Sequence, residues 1–326
     1  MNGYADVNEE TRKQIVEAAK QYGYSPDRIG RRLRKNLSDT IGFVLSPPQR
    51  HFANPLTLDL IMGIDERLHG TPFQLIIAAA RTVGDELATF RRLVEEQRVD
   101  GLIFTRTRRV DERILYLQER GVPFATLGQS ESEKPFPFVD IDHFVVGREG
   151  TARFVALGHR RIAFINTPDE FTFSARRRRG YEAALAAARI PLDEDLIIEG
   201  DMTEEGGHQA ALRLLALPEP PTAILCGQDF AAMGAARAVY EVGKLPGQDV
   251  GIMGGDDHPM GQYFDPPLTT FHAPIPKAGA RLGEMLMAAM QGEPAENLQE
   301  IWNPKLVIRA SDGPNRNAQS RREAQA

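Results

Sequence analysis

Between Thr40 and Ser311 the chain alternates short apolar runs with longer stretches whose apolar residues recur at helical spacing. "TIGFVLS" (40–46), "FQLIIAA" (73–79), "DGLIFT" (100–105) and "VPFATLG" (122–128) are near-continuous hydrophobic segments of strand length. Between them, "PLTLDLIMGIDERLHG" (55–70), "DELATFRRLVEEQRV" (85–99) and "DERILYLQERG" (111–121) read as helices. In the second of these, Leu87, Phe90, Leu93 and Val94 form one stripe. A strand that is apolar throughout has both faces covered, and in an alternating strand–helix chain this means a parallel sheet between two helical layers.

The pattern then begins again. "HFVVGREGTARFVALG" (143–158), "SARRRRGYEAALAAARI" (174–190), "EEGGHQAALRLLAL" (204–217) and "DFAAMGAARAVYEVGK" (229–244) read as helices. The segments "RRIAFINTP" (160–168), "LIIEGDM" (196–202), "AILCG" (223–227) and "DVGIMGG" (249–255) read as strands. The fold class is therefore α/β, with two tandem doubly wound parallel sheets. "PPLTTFHAP" (266–274) reads as an extended connection, "IPKAGARLGEMLMAAMQG" (275–292) as a last long helix and "NPKLVIRAS" (303–311) as a last strand. The polar tail from Gly313 is expected to be disordered.

A small appendix precedes the body. In "VNEETRKQIVEAAKQYGY" (7–24), Asn8 suits an N-cap, Gly23 suits a helix end, and Ile15, Ala18, Ala19 and Tyr22 form an apolar stripe. A second helix start follows at Ser25 and Pro26. "SPDRIGRRLRKN" (25–36) carries Arg28, Arg31, Arg32, Arg34 and Lys35, although the whole 326-residue chain has a net charge of -6. Gly30 inside this helix costs about 1 kcal/mol relative to alanine, so the helix needs outside support. Arginines of this kind neutralise phosphates and favour a narrow minor groove, and an apolar Leu33 among them can wedge between base steps. A solvated basic linker is the plainer alternative.

The composition narrows the function classes further. A single cysteine, Cys226, forbids an internal disulfide and fits a reducing compartment. "MNGYADVNEETRK" has no apolar core of a signal peptide, and no apolar run approaches the roughly 20 residues of a membrane span. A cytoplasmic protein with no membrane partner is expected. There is no G-x-S-x-G, P-loop or G-x-G-x-x-G, and the 7 histidines show no metal-ligand spacing. We therefore expect no enzyme, no cofactor and no metal.

The segment from Val7 to Ser46 resembles the lactose-repressor and purine-repressor (LacI/GalR) family of bacterial transcription regulators. It is similar to that family's third head helix, hinge helix and first effector-domain strand. The likeness continues through "VDGLIF", "GVPF", "VDIDHF", "LGHRRIAFI", "RRRRGYEAAL", "AILCGQDFAAMGAARAV", "VGIMGGDD" and "DPPLTTF". It implies two periplasmic-binding-protein-like (type I) subdomains, a homodimer, operator DNA as partner and a small sugar effector between the subdomains. On this resemblance, 1–24 is a remnant of the helix-turn-helix head and 25–39 the hinge helix and linker. Residues 40–158 with 273–302 form the N-terminal effector subdomain, 159–272 with 303–312 the C-terminal one, and 313–326 the tail. Arg28, Arg31, Arg32 and Leu33 are the DNA-contacting residues it implies, with Leu33 the minor-groove lever. In the family a helix-turn-helix precedes "NGY..V", so the resemblance places Met1 inside the end of that head, without its first two helices. Two readings stay open: a start set downstream of a complete head, or a headless sugar-sensing or solute-binding relative without specific DNA binding.

Ligands of open α/β sheets sit beyond the carboxyl ends of the strands, so the effector residues are sought there. Phe52 and Asn54 follow the first strand, the one able to stack on a sugar face and the other to bond a hydroxyl. Gln129 follows "VPFATLG", where family members often carry an acid or an arginine, and Asp142 in "VDIDHF" either lines the cleft or caps the next helix. Four consecutive arginines cannot share one helix face. The resemblance singles out Arg177, three residues before Gly180, as a bidentate clamp on hydroxyls, beside an apolar wall of Phe171 and Phe173. Met202 stands where many relatives have an aromatic. Gln228 precedes Asp229, which reads as a helix cap. Asp256 and Asp257 are adjacent and so diverge, and Asp256 suits sugar hydroxyls better than a metal. Amides, carboxylates, one arginine and aromatics together describe a neutral polyol site.

The wedge reading carries its own test. Leu33→Ala removes no charge, yet we expect DNA affinity measured by fluorescence anisotropy to fall roughly tenfold with an unchanged salt slope. Equal binding by the variant rules out the wedge.

Overall fold

The structure is a computed structural model that describes residues 38–46, 55–82 and 84–314, together with Glu10, Thr11, Lys13, Gln14, Glu17 and Ala18, which are helical and exposed. The expected DNA contacts Arg28, Arg31, Arg32 and Leu33, and the expected effector residues Phe52 and Asn54, lie outside the described residues.

The first sheet has six parallel strands in the order β11-β5-β4-β3-β1-β2, from β1 (Thr40–Leu45), β2 (Gln74–Ala79), β3 (Gly101–Thr105), β4 (Phe124–Leu127), β5 (Phe138–Ile141) and β11 (Gln299–Trp302). Helix α1 (Pro55–Leu68) and helix α8 (Ile275–Met290) cover one face, burying Leu60, Ile64, Leu282 and Leu286 against Ile41, Phe43 and Ile103. Helices α2 (Asp85–Glu95) and α3 (Glu112–Arg120) cover the other, where Phe90, Ile114 and Leu117 meet Val44, Leu102 and Phe104. Both faces of the central strands are thus apolar, as their unbroken hydrophobic runs require.

The second sheet has four parallel strands in the order β7-β6-β8-β9, from β6 (Ile162–Asn166), β7 (Ile197–Glu199), β8 (Ala223–Cys226) and β9 (Gly251–Met253). A parallel bridge from Met253 to Thr269 extends it toward the antiparallel pair β10 (Thr270–His272) and β12 (Lys305–Val307). Helices α6 (Glu204–Leu215) and α7 (Asp229–Glu241) cover one face through Ala210, Leu214, Ala232 and Val239. Helices α4 (His143–Ala156) and α5 (Thr172–Ala187) cover the other through Val146, Phe154, Tyr181 and Leu185.

Two details depart from the sequence reading. The expected division places 143–158 with the first sheet, but α4 packs on the second, so the chain changes sheet just after Ile141. The apolar stripe of α4 meets α5, a partner that the helix's own sequence does not reveal. Strand β11 was not anticipated. Its side chains are only exposed or half-buried, because it pairs at the sheet edge beside β5, and Glu300 faces Arg281 at 2.8 Å rather than a core. The chain therefore crosses between the sheets after β5, after β10 and after β11.

Three helix pairs cross at reciprocal glycines. A methyl built on Gly147 would meet the Arg177 carbonyl, and one on Gly180 the Phe144 carbonyl. Gly63 and Gly279 do the same for α1 and α8, and Gly207 and Gly234 for α6 and α7. At each crossing backbone lies against backbone, which only a residue without Cβ permits. For Gly147→Ala we expect a loss of about 1–3 kcal/mol in urea unfolding, since the clash is with backbone and cannot be relieved by a rotamer.

Candidate functional site in the cleft between the sheets

The carboxyl ends of both sheets face a shared cleft. Thr105 and Arg106 enter it from β3, Leu127 and Gly128 from β4, and Asp140 and Ile141 from β5. Gln228 enters after β8, Gly255 and Asp256 after β9, and His143, Phe173 and Arg177 from α4 and α5. Ala273 and Pro304, on two of the crossings, complete the wall. The cavity volume is about 170 Å³.

Arg177 dominates the second-sheet wall. It is 4% exposed, and its guanidinium makes no hydrogen bond among the described residues; Nε and Nη1 are buried without a partner. It lies 5.2 Å from the centroid of Phe173, whose ring stacks on Phe171 at 5.1 Å. Burial pulls its pKa down to about 10, opposed by Asp256, Asp140 and Asp229. Gly180 and Gly147 set its depth, because they bring the backbone of α5 against α4.

The acids differ in what they have left to offer. Asp229 is fully buried and fully used: it accepts from the backbone of Gly255 (2.8 Å), Asp256 (3.2 Å) and His258 (2.8 Å) and from the Thr270 hydroxyl (2.5 Å). It knots the loop after β9 to β10. Asp256 accepts one bond, from Asp229 N at 2.8 Å, and burial together with the Asp229 charge holds its carboxyl well above the usual range. Asp257 turns away to His272 (3.0 Å) and Arg309 (2.8 Å), so the two adjacent carboxylates do diverge. Asp140 accepts from Gln129 Nε2 at 2.7 Å, and burial raises its pKa to about 6. His143 stands 3.7 Å from Asp140 with Nδ1 unpartnered; burial and the charges of Arg177 and Arg176 hold its pKa far down, so it is a neutral ring at pH 7. The cleft thus presents open donors on Arg177, open acceptor capacity on Asp140 and Asp256, and an aromatic face. Among the described residues no group of His, Cys, Asp and Glu is arranged to hold a metal, and no helix is long and apolar enough to cross a membrane.

Of the expected effector residues, Phe173, Arg177, Gln228 and Asp256 come together in the cleft. The other described ones, Gln129, Asp142 and Met202, do not line it. Gln129 does not line the cavity but orients Asp140. Asp142 caps α4 by accepting from Phe144 N at 3.1 Å and faces Arg176 at 3.5 Å. Met202 is buried at φ 66° and lies away from the cavity. Arg178 pairs with Glu182 and Glu194 at 2.8 Å each, and Arg179 is exposed. Sequence reasoning missed Asp140, His143 and Arg106. A signal for Asp140 was present: the acid directly before a helix is consumed as its N-cap, which leaves the one two positions earlier on the same strand face.

A family model described as a periplasmic binding protein-like domain matches residues 151–311. Over 323 residues the chain is 35% identical to the HTH-type transcriptional regulator AglR of Rhizobium meliloti (strain 1021), covering 96% of this chain and 89% of that protein. The complex of the transcriptional regulator CelR with cellobiose is 30% identical and superposes with a TM-score of 0.78, covering 95% of this chain and 93% of the other. A LacI-family regulatory protein from Chloroflexus aggregans, 30% identical, gives a TM-score of 0.77 over 85% of this chain and 99% of its own. Two parallel sheets clasping a cleft at their carboxyl ends define a periplasmic-binding-protein-type domain. The chain belongs to the LacI family of transcriptional regulators, and its relatives are regulators rather than enzymes.

The raised carboxyl of Asp140 has a consequence for stability. In the folded protein it keeps its proton up to about pH 6, whereas an unfolded aspartate loses it near pH 4, so between these values the folded state binds more protons. Its contribution is fully present below about pH 4 and is lost as pH rises through about 6. We expect Asp140→Asn to flatten that decline in urea midpoints measured from pH 4 to 7; an identical slope rules the assignment out.

Proposed function

We propose that this chain is a sugar-responsive regulator, most simply a repressor of sugar uptake or catabolism. It works in the cytoplasm as a homodimer on operator DNA and holds a small neutral sugar between its two subdomains. The observation that carries the reading is Arg177: a buried guanidinium with two orphaned nitrogen atoms, set among Asp140, Asp256 and Phe173. An unpaired buried charge is costly, and sugar hydroxyls supply the acceptors it lacks while donating to the carboxylates. Phe173 offers its ring to a sugar face. The cellobiose bound to CelR supports the ligand class. An effector that binds the closed cleft better than the open one shifts the two-state equilibrium of the halves, and a dimer passes that shift to its paired hinge segments. Whether the sugar releases or recruits DNA follows from which state fits the operator.

The test is isothermal titration of the full chain with glucose, galactose, cellobiose, maltose and trehalose. We expect at least one to bind and to raise the melting midpoint. Arg177→Ala should weaken that binding by roughly tenfold or more, as for loss of a charge-assisted hydrogen bond. Wild-type affinity and an unchanged thermal shift in the variant would sink the assignment.

A further inference from the structure

The loop between β3 and α3 carries a guanidinium that the reading above leaves unused. Arg106 follows the last residue of β3 and lines the cleft on the first-sheet wall. It is half-buried, and its side chain makes no hydrogen bond or ion pair among the described residues. Its backbone sits at φ 56°, a left-handed conformation that costs a residue bearing a Cβ some energy and persists only where the surroundings enforce it.

The enforcement is visible. Arg113, 2% exposed, donates Nη2 to the Arg106 carbonyl at 2.8 Å, and donates Nε and Nη2 to Asp111 at 2.9 and 2.6 Å. Asp111 also accepts from the backbone of Arg108 (2.9 Å) and of Arg113 (3.0 Å). Glu86, 3% exposed, lies 3.7 Å from Arg113 Nη1 and accepts from Arg108 Nη2 at 2.9 Å. A buried ion network therefore holds one strained residue, and that residue lines the cleft with a guanidinium that has no hydrogen bond or ion pair among the described residues and lies in the field of Glu86.

The same loop touches the other half of the molecule apart from the three crossings. Thr172 N donates to the Thr107 carbonyl at 3.1 Å and Arg109 N to the Glu170 carbonyl at 3.2 Å. Arg108 Nε donates to Glu170 at 2.9 Å. These bonds hold the loop that carries Arg106 against the second half.

We propose that Arg106 is a second effector-contacting arginine, whose planar fork reads a pair of neighbouring hydroxyls on the part of the sugar facing the first sheet. The proposal rests on the sugar-responsive reading and deepens it: the ligand is gripped from both walls, and its hydroxyl configuration is read at two places. A fork of this geometry distinguishes adjacent hydroxyls by their relative orientation, which an ammonium on a flexible stem does not.

The experiment compares wild type with Arg106→Ala and Arg106→Lys, using the same five sugars and ligand-free melting curves. For the sugar that wild type binds best, we expect affinity to fall roughly tenfold or more in Arg106→Ala. The lysine variant should restore little of it, discrimination between glucose- and galactose-type ligands should flatten, and the ligand-free melting midpoint should not move. Wild-type affinity and selectivity in Arg106→Ala overturn the proposal. So does an affinity loss with unchanged selectivity and a lowered ligand-free midpoint, which makes Arg106 a brace for its loop. If wild type binds none of the five, the sugar reading itself fails and this proposal with it, a result distinct from selective failure of the Arg106 variants.

Discussion

The rest of the site depends on one unfavourable arrangement, a guanidinium buried with no hydrogen bond among the described residues. Arg177 is kept from water by Phe173 and by the α4–α5 crossing, and only the fields of Asp256, Asp140 and Asp229 compensate it. Those acids are themselves buried, so two of them are pushed toward their protonated forms and compensate less than free carboxylates would. Neither side of the pairing is satisfied among the described residues. A polar, uncharged ligand resolves both halves at once, since each hydroxyl both donates and accepts. That is a stronger reason to expect a polyol than any count of polar residues around the cavity.

The packing that imposes this arrangement is simple. Glycines at reciprocal positions let three helix pairs approach until backbone meets backbone, and one of the contacts at the α4–α5 crossing is the carbonyl of Arg177 itself. The depth of the charge is therefore tied to the core of the second sheet, through Val146, Tyr181 and Leu185, rather than to a surface loop. Sites carried on rigid elements in this way keep their geometry while the halves move.

Much of this was legible in the sequence, and the parts that were not share a cause. The two sheets follow from the unbroken apolar runs of β1, β3, β6 and β8, and Arg177 from the family resemblance that marks the arginine three residues before Gly180. Asp142, left between cleft and cap, and Gln129, a departure from the family pattern, stayed open because a one-dimensional reading does not say which protein group claims a polar residue first. The start of α4 claims Asp142, and Asp140 claims Gln129. Strand β11 was invisible because an edge strand half open to solvent has no hydrophobic run, and α4 was misplaced because an apolar stripe does not name its partner. Arg106 was missed for a different reason: its signal is a backbone torsion and a missing bond, and neither exists before the chain is folded.

The contact between the halves at Thr107–Arg109 and Glu170–Thr172 bears on how such a regulator can switch at all. Arg108 and Glu170 are partly exposed, at 21% and 47% of their side chains, so their ion pair is worth roughly 0–1 kcal/mol. The two backbone bonds beside it contribute roughly 0.5–1.5 kcal/mol each. Apart from the crossings, then, this edge holds the halves together by only a few kcal/mol. Reversing a two-state ratio from 1:99 to 99:1 takes about 5.5 kcal/mol of differential binding. Charge-assisted hydrogen bonds of roughly 1.5–3 kcal/mol each to Arg106 and Arg177, with a neutral one of roughly 0.5–1.5 kcal/mol to Asp256, total about 3.5–7.5 kcal/mol and span that figure, whereas the two bonds to the second-sheet wall alone total about 2–4.5 kcal/mol and fall short. Gripping the effector from both sheets is therefore what lets a weakly closed cleft be governed by its occupant.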